Sequence, residues 1–419
     1  MSRLSVALRA RLRPTWYRLK RAGYRMQLRA ERRRRASRTY QPQATDGPLD
    51  PPARTATTAA AASSMQDGVK RRIVVDPPQL LRRDRPPRTI ETELHPHFQF
   101  DLEHEVPEMA VCELPHGRVW GETGAIVTAE NVLLEDLSIA WQQDDKSRGQ
   151  HPIFANWRYH PVHPLPGRAA ALTTDGAQLY YHWLFQLLPR LDLLERAGIA
   201  LDSVDHFIVN RATQPFELDT LARLGIPREK LVETRVHPQV SAELLLAPSI
   251  PLHGSQFSQP LVDFVRGRLA GLPRAQECQP GARRLYLTRA GAGYRHVVNE
   301  AEVRERVLAR GFEAIALEEL RFEEQVQVMS EAGVVLGPHG GGMSNTVFCA
   351  AGTRVAEIFS QEYVAPWFWF LANITGVDYH YMIDAAAPRP ELAERWNLGA
   401  SMQVDLSKLD RLLDQLDTA

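Results

Sequence analysis

The segment Gly337-Pro338-His339-Gly340-Gly341-Gly342-Met343-Ser344-Asn345 holds the sharpest chemistry in the chain. It lies between an apolar strand-like run over 333–336 and a helix-period stretch over 343–349. At such a turn, backbone N–H groups and the helix dipole favour an anion. Three successive glycines let a ligand approach the main chain closely, and His339 and Ser344 add side-chain donors. No Gly-Lys-Ser/Thr follows, so the turn is not a P-loop, and Asn345 stands where a dinucleotide fingerprint needs its third glycine. The letters His339 to Gly342 also match the oxyanion turn of esterases. No Gly-x-Ser-x-Gly elbow occurs in the chain, which argues against a serine hydrolase. A tight turn without a ligand is the plain alternative.

Two further segments carry chemistry. In residues 285–300 a strand ends at Arg289, a glycine-containing turn carries Arg295, and Asn299 stands where it would cap the next helix. Arginines at strand ends of an open α/β sheet suit a phosphate; a pair of surface arginines is the bland alternative. In residues 180–194 a leucine stripe marks a core helix, with His182 at its start among aromatics. There His182 is either a structural histidine or a base kept neutral by the helix N-terminus. His151, His160 and His163, each beside a proline, match no metal-ligand spacing and read as loop residues. The cluster Trp367-Phe368-Trp369-Phe370 reads as core or as a contact between domains, although aromatics also stack on sugars.

The elements around these residues alternate between short apolar runs and helix-period stretches, the βαβ signature of a parallel sheet covered by helices. Strands are expected over 204–209, 244–246, 284–288, 314–317, 333–336 and 354–359. Helices are expected over 179–197, 216–224, 260–272, 300–310 and 322–331, with a linker over 273–282. Of 419 residues, 44% are hydrophobic and 24% charged, a soluble balance, and the length suggests two or three domains. No run of 18 apolar residues suggests a membrane-crossing helix. Three scattered cysteines suit a reducing compartment. The zero net charge conceals an asymmetry: residues 1–40 contain 14 of the 50 Lys and Arg and one acid, Glu31, so an arm of +13 precedes a body of −13. Leu4, Leu8, Leu12 and Trp16 give that arm an amphipathic stripe, which favours lying on an anionic membrane surface. Its Arg-rich, acid-poor bias is shared with mitochondrial transit peptides. Residues 41–89, rich in proline and alanine, read as a disordered linker.

Together and in this order, the segments resemble glycosyltransferase family 61, which includes capsular polysaccharide biosynthesis proteins. The resemblance rests on Tyr180-Tyr181-His182-Trp183-Leu184, Leu188-Pro189-Arg190-Leu191, Leu285-Tyr286-Leu287-Thr288-Arg289 with Arg295 and Asn299, the 332–345 turn, and Glu357 beyond Gly352. It covers about residues 170–385. Departures are Gln186 where an acid is frequent, Leu179 for an asparagine, His296 for a second arginine and Gly341 for an alanine.

The resemblance implies an α/β, GT-B-like pair of Rossmann-like domains behind the disordered basic arm. The boundaries expected are 1–90 for arm and linker, 91–272 for an acceptor domain and 273–419 for a nucleotide-sugar domain. It further implies an inverting transfer from a nucleotide-sugar donor to the hydroxyl of a saccharide or lipid-linked acceptor. No metal and no cofactor is expected, the nucleotide-sugar being substrate, and no specific nucleic acid. His182 is the candidate base. Arg289, Arg295, Asn299, His339, Gly340, Gly341, Gly342, Ser344, Asn345 and Glu357 are the candidate donor-binding set, Glu357 through the ribose hydroxyls. The expected location is cytoplasmic, peripheral to the inner face of the membrane. A non-catalytic nucleotide-sugar-binding scaffold and a GT-B-like epimerase are the rival readings.

Overall fold

The computed structural model of the chain describes residues 52, 54–57, 68–99, 102–138, 151, 153, 161–252, 256–291, 295–385 and 401–418. The basic arm over 1–40 and His160 lie outside the described residues. The N-terminal stretch forms β1 (Arg54–Ala56), β2 (Arg71–Asp76), β3 (Gln79–Arg82), β4 (Arg88–Thr89) and β5 (Glu103–Val106). Within residues 41–89, expected to be a linker, 54–56, 71–76, 79–82 and 88–89 are therefore strand. In β2, Ile73, Val74 and Val75 supply β-branched residues, and the strand pairs antiparallel with β6 (Met109–Pro115). Short turns then join β7 (Arg118–Trp120), β8 (Ala125–Val127) and β9 (Val132–Leu134). Connections this short cannot carry a crossover, so β7–β8 and β8–β9 pair antiparallel.

The helical half of the first sheet follows: β10 (His163–Ala171), β11 (His206–Val209), β12 (Leu231–Glu233) and β13 (Gln239–Pro248). Helix α1 (residues 180–196) joins β10 to β11 and α2 (Pro215–Arg223) joins β11 to β12. The sheet runs β1-β9-β8-β7-β13-β10-β11-β12, so its parallel part has the order β13-β10-β11-β12. The antiparallel flank separates this sheet from the purely parallel one that the βαβ signature suggests. Helix α1 has three parts: Tyr180–His182, a π-helical turn Trp183–Leu187, and Pro189–Arg196. Pro189 supplies no N–H and crowds the preceding turn. The helix widens there, with Leu188 N donating to Trp183 O at 3.1 Å.

Helix α3 (Gln259–Asp263), continued by a π-helical turn Phe264–Leu269, leads to the second sheet. This sheet contains β14 (Arg283–Leu287), β15 (Glu313–Ile315), β16 (Ala332–Pro338), β17 (Arg354–Ser360) and β18 (Asp378–Asp384). All are parallel, in the order β15-β14-β16-β17-β18-β4. Alternate side chains enter opposite cores. Leu285 and Leu287 join Phe322, Val326 and Met329 of α5 (Phe322–Ser330). Tyr286 joins Val303 and Val307 of α4 (Glu300–Ala309) and the leucines of α7 (Leu406–Thr418). The helix expected over 343–349 is a 3-10 helix, Gly341–Phe348. The aromatic cluster forms α6 (Trp367–Thr375) and is core, as Trp369 is wholly buried.

One N-terminal segment belongs to this second sheet. β4 pairs with β18, Trp369 Nε1 donates to Arg85 O at 2.8 Å, and His95 N donates to Tyr381 Oη at 2.9 Å. Phe98 completes the attachment, stacked on Tyr381 at 4.4 Å and edge-on to Trp369 at 5.5 Å. Phe98→Ala should lower the unfolding free energy by about 3–5 kcal/mol, read from the urea midpoint. A loss under about 1 kcal/mol would mean that this ring does not hold the segment.

Candidate active site

In an open α/β sheet, ligands bind beyond the carboxyl ends of strands where the strand order reverses. The first sheet reverses between β10 and β13, the second between β14 and β16. Both reversals carry a histidine.

At the first reversal, residues 172–179 lead from β10 into α1. His182 is buried, and its Nδ1 lies 2.6 Å from Gln186 Oε1 one turn on. Gln186 Nε2 donates to Leu252 O at 3.1 Å, beyond β13, and Gln186 Oε1 accepts from Thr174 Oγ1 at 3.4 Å, beyond β10. With the amide nitrogen committed to Leu252, the oxygen faces the imidazole and only accepts, so Nδ1 carries the proton and Nε2 the lone pair. Burial brings the His182 pKa down to about 4, although the Gln186 bond pulls it upward. The imidazole is therefore neutral near neutral pH. Gln186 thus fixes the tautomer of His182 without adding a charge.

Arg190, part of the Leu188-Pro189-Arg190-Leu191 motif, was not among the candidate site residues. It is buried, burial lowers its pKa to about 9, and its Nη1 donates to Ala171 O and Thr173 O at 3.1 and 2.6 Å. It thereby fixes the strand end from which Thr174 reaches Gln186. Asn210 holds the same loop, accepting from Thr174 N at 3.0 Å. The signal for Arg190 was its charge set among leucines on an apolar helix; nothing in the letters marked Asn210.

At the second reversal, β14 ends before Arg289 and β16 before His339. The Arg289 guanidinium lies against Gly340: a Cβ there would meet Nη1 at 2.1 Å and Cζ at 2.6 Å. The need for glycine is spatial, since Gly340 has an extended backbone with φ 168°. Arg289 Nε also donates to Arg295 O at 3.2 Å. Arg295 has φ 53°, a left-handed conformation that costs a non-glycine residue about 1–3 kcal/mol. Its guanidinium sits 5.2 Å above the Tyr363 ring, and Tyr363 meets His339 edge-on at 5.3 Å. Gly341 lies beside Tyr180 and Gly342 beside Leu317. The Ser344 hydroxyl is buried and has no hydrogen-bond partner among the described residues.

Three expected donor contacts are engaged elsewhere. Glu357 is wholly buried, and its two oxygens meet His339 Nδ1 and the Tyr379 hydroxyl, so it braces the turn from beneath. Asn345 Oδ1 accepts from Tyr180 Oη at 2.8 Å, and its Nδ2 donates to Gln325 Oε1 at 3.1 Å. This ties α1 to the 3-10 helix. Asn299 precedes α4 without capping it through its side chain; it pairs with the Val404 backbone at 2.9 and 3.0 Å. Its amide matches a peptide's donor and acceptor, which secures the segment that leads into α7.

An aromatic bridge joins the two histidine sites. Trp367 stacks on Tyr181 at 5.5 Å and lies 5.7 Å from His339. Residues 180–356, which run from the first histidine site to the second, match the family model Glycosyltransferase 61. The resemblance to glycosyltransferase family 61 holds over this span. A β-1,2-xylosyltransferase of Arabidopsis thaliana is 33% identical over 66 residues, 16% of this chain and 12% of that protein. The β-1,2-xylosyltransferase RCN11 of Oryza sativa subsp. japonica is 34% identical over 61 residues, 15% of this chain and 11% of that protein. The chain thus matches about an eighth or less of the length of these curated relatives. Among the described residues no helix is long and apolar enough to cross a membrane.

The buried, neutral His182 has a consequence for stability. Its folded pKa lies below its unfolded value of 6.5, so on acidification the unfolded chain binds the proton first. Its stability contribution is complete above about pH 6.5 and is lost toward pH 4. Each tenfold difference in proton affinity between the folded and unfolded chains is worth about 1.4 kcal/mol. His151, lowered to about 4 by burial, acts in the same direction. Urea midpoints between these pH values should fall less steeply in His182→Gln than in the parent. Equal slopes would show that His182 is not held neutral by the fold.

Proposed function

We propose that the protein is an inverting glycosyltransferase that moves a sugar from a nucleoside-diphosphate donor to a hydroxyl acceptor. The observation that carries this reading is the pairing, within the family 61 span, of a neutral oriented histidine at one strand-order reversal with an arginine–glycine turn at the other. In this reading the two sheets form a GT-B-like pair, with residues 102–272 on the acceptor side and 273–419, joined by the 85–98 segment, on the donor side. The leaving diphosphate gains charge as the glycosidic bond breaks. Arg289, Arg295, the Ser344 hydroxyl and the N–H groups of Gly340–Gly342 meet that charge in a preorganised setting, where one such donor is worth several kcal/mol. The acceptor hydroxyl attacks the opposite face of the anomeric carbon and gives its proton to His182 Nε2. The two relatives are named for xylosyl transfer, so pentosyl donors are the first class to test, followed by hexosyl donors.

Binding tests the donor half. Arg289→Ala should abolish most of the thermal stabilisation by UDP or GDP, which at a hundred times the dissociation constant is about 2.7 kcal/mol in the parent. Gly340→Ala should fold normally, displace the flexible guanidinium and weaken binding to the same degree. The double variant should lose nothing further, because both changes remove one contact. Additive losses would place Arg289 and Gly340 in separate roles.

Transfer of label from a radiolabelled donor tests the acceptor half. His182→Ala should lower kcat about 10²–10⁴-fold with little change in donor affinity. Gln186→Glu sets a carboxylate against Nδ1, favours the imidazolium and should move the acid limb of kcat/KM to higher pH. An alanine variant above half the parental rate would return His182 to a packing role.

A further inference from the structure

His339, Glu357 and Tyr379 form a buried chain that the donor-site reading leaves without a task. Burial keeps the Tyr379 phenol protonated, its pKa raised well above the usual range, so it donates to one Glu357 oxygen. The other Glu357 oxygen receives His339 Nδ1–H, which leaves Nε2 as the ring nitrogen that can change state. The ring is stacked on Phe359 at 5.2 Å and flanked by Tyr363, Trp367 and Phe368. Three charged groups act on it from different elements: Glu357 on β17 favours the imidazolium, while Arg295 before α4 and Arg289 after β14 oppose it. Desolvation opposes it most strongly, so the resting ring is neutral. A diphosphate entering the turn cancels the two arginine charges and adds negative charge of its own. Both of these charge changes favour the imidazolium.

We propose that His339 is a proton-carrying catalytic residue: it takes up a proton as the diphosphate binds and presents Nε2–H to the departing phosphate oxygen, with Glu357 as its positioning residue. This rests on the donor reading above. When the bond between the anomeric carbon and the β-phosphate oxygen breaks, its electron pair stays on that oxygen and meets Nε2–H in a charge-assisted hydrogen bond. The acceptor oxygen forms the new bond, and its proton goes to His182. His339 returns its own proton to water when the diphosphate leaves.

Calorimetric titration of UDP and of GDP into the full chain, in HEPES and in Tris near neutral pH, counts the protons exchanged on binding. The parent should take up about one proton more per ligand than His339→Gln, since the ligand's own ionisation is common to both. Glu357→Gln keeps an acceptor for Nδ1 but lacks the charge. It should reduce the uptake and lower kcat more than it raises KM, which a purely structural role would not do. If His339→Gln does not fold, the Glu357→Gln titration decides the matter. Equal proton counts in the parent and these variants, with binding intact, would overturn the role of His339 and leave the donor site standing. If neither nucleotide binds the parent, the donor reading falls and this proposal falls with it.

Discussion

The reversal of strand order in each sheet is the constraint on which the rest depends. Where neighbouring parallel strands send their crossovers in opposite directions, no helix covers the gap between their carboxyl ends. Such a gap exposes loop backbone that must be held by side chains or ligands. In the first sheet Arg190, Asn210 and Gln186 hold it. In the second, Arg289 lies along Gly340 and Glu357 supports His339 from below. The side chains that surround each gap are thus the ones the backbone needs there, and chemistry is added to that necessity.

Both histidines are buried, and burial discourages both from charging, but their partners differ. His182 has a neutral carboxamide, which fixes the tautomer and adds no net charge. His339 has a carboxyl group on one side and two arginines nearby. One ring is held in a single protonation state, and the other stands between opposing fields. Such a contrast between two titratable groups in one region is how a protein divides proton chemistry between roles.

Much of the second sheet was legible in the sequence. β16 is a continuous apolar run, β14 and β17 carry short ones, and the glycines at 311, 340–342 and 352 punctuate the order of turn, helix and strand. The turn at 337–345 was legible for the same reason, as was the place of Arg289 just beyond a strand end. The antiparallel flank was not, because β7, β8 and β9 are three residues each and show no period. The tasks of Asn299, Asn345 and Glu357 were also hidden. Each is set by a partner distant in sequence (Val404, Tyr180, Tyr379), and a polar residue near a glycine turn gives no sign of whether it faces a ligand or the core. The π-helical turn had a visible cause in Pro189, whose effect on the helix was not drawn from the letters.

The attachment of residues 85–98 to β18 and α6 has a mechanical meaning. The polypeptide leaves the first sheet after β2, enters the second at β4, returns to the first at β6 and crosses again through 248–283, so three passages of chain join the two sheets. Each passage is a tether, and any change in the distance between the histidine sites must be accommodated by all three as well as by the hydrogen bond between Tyr180 and Asn345.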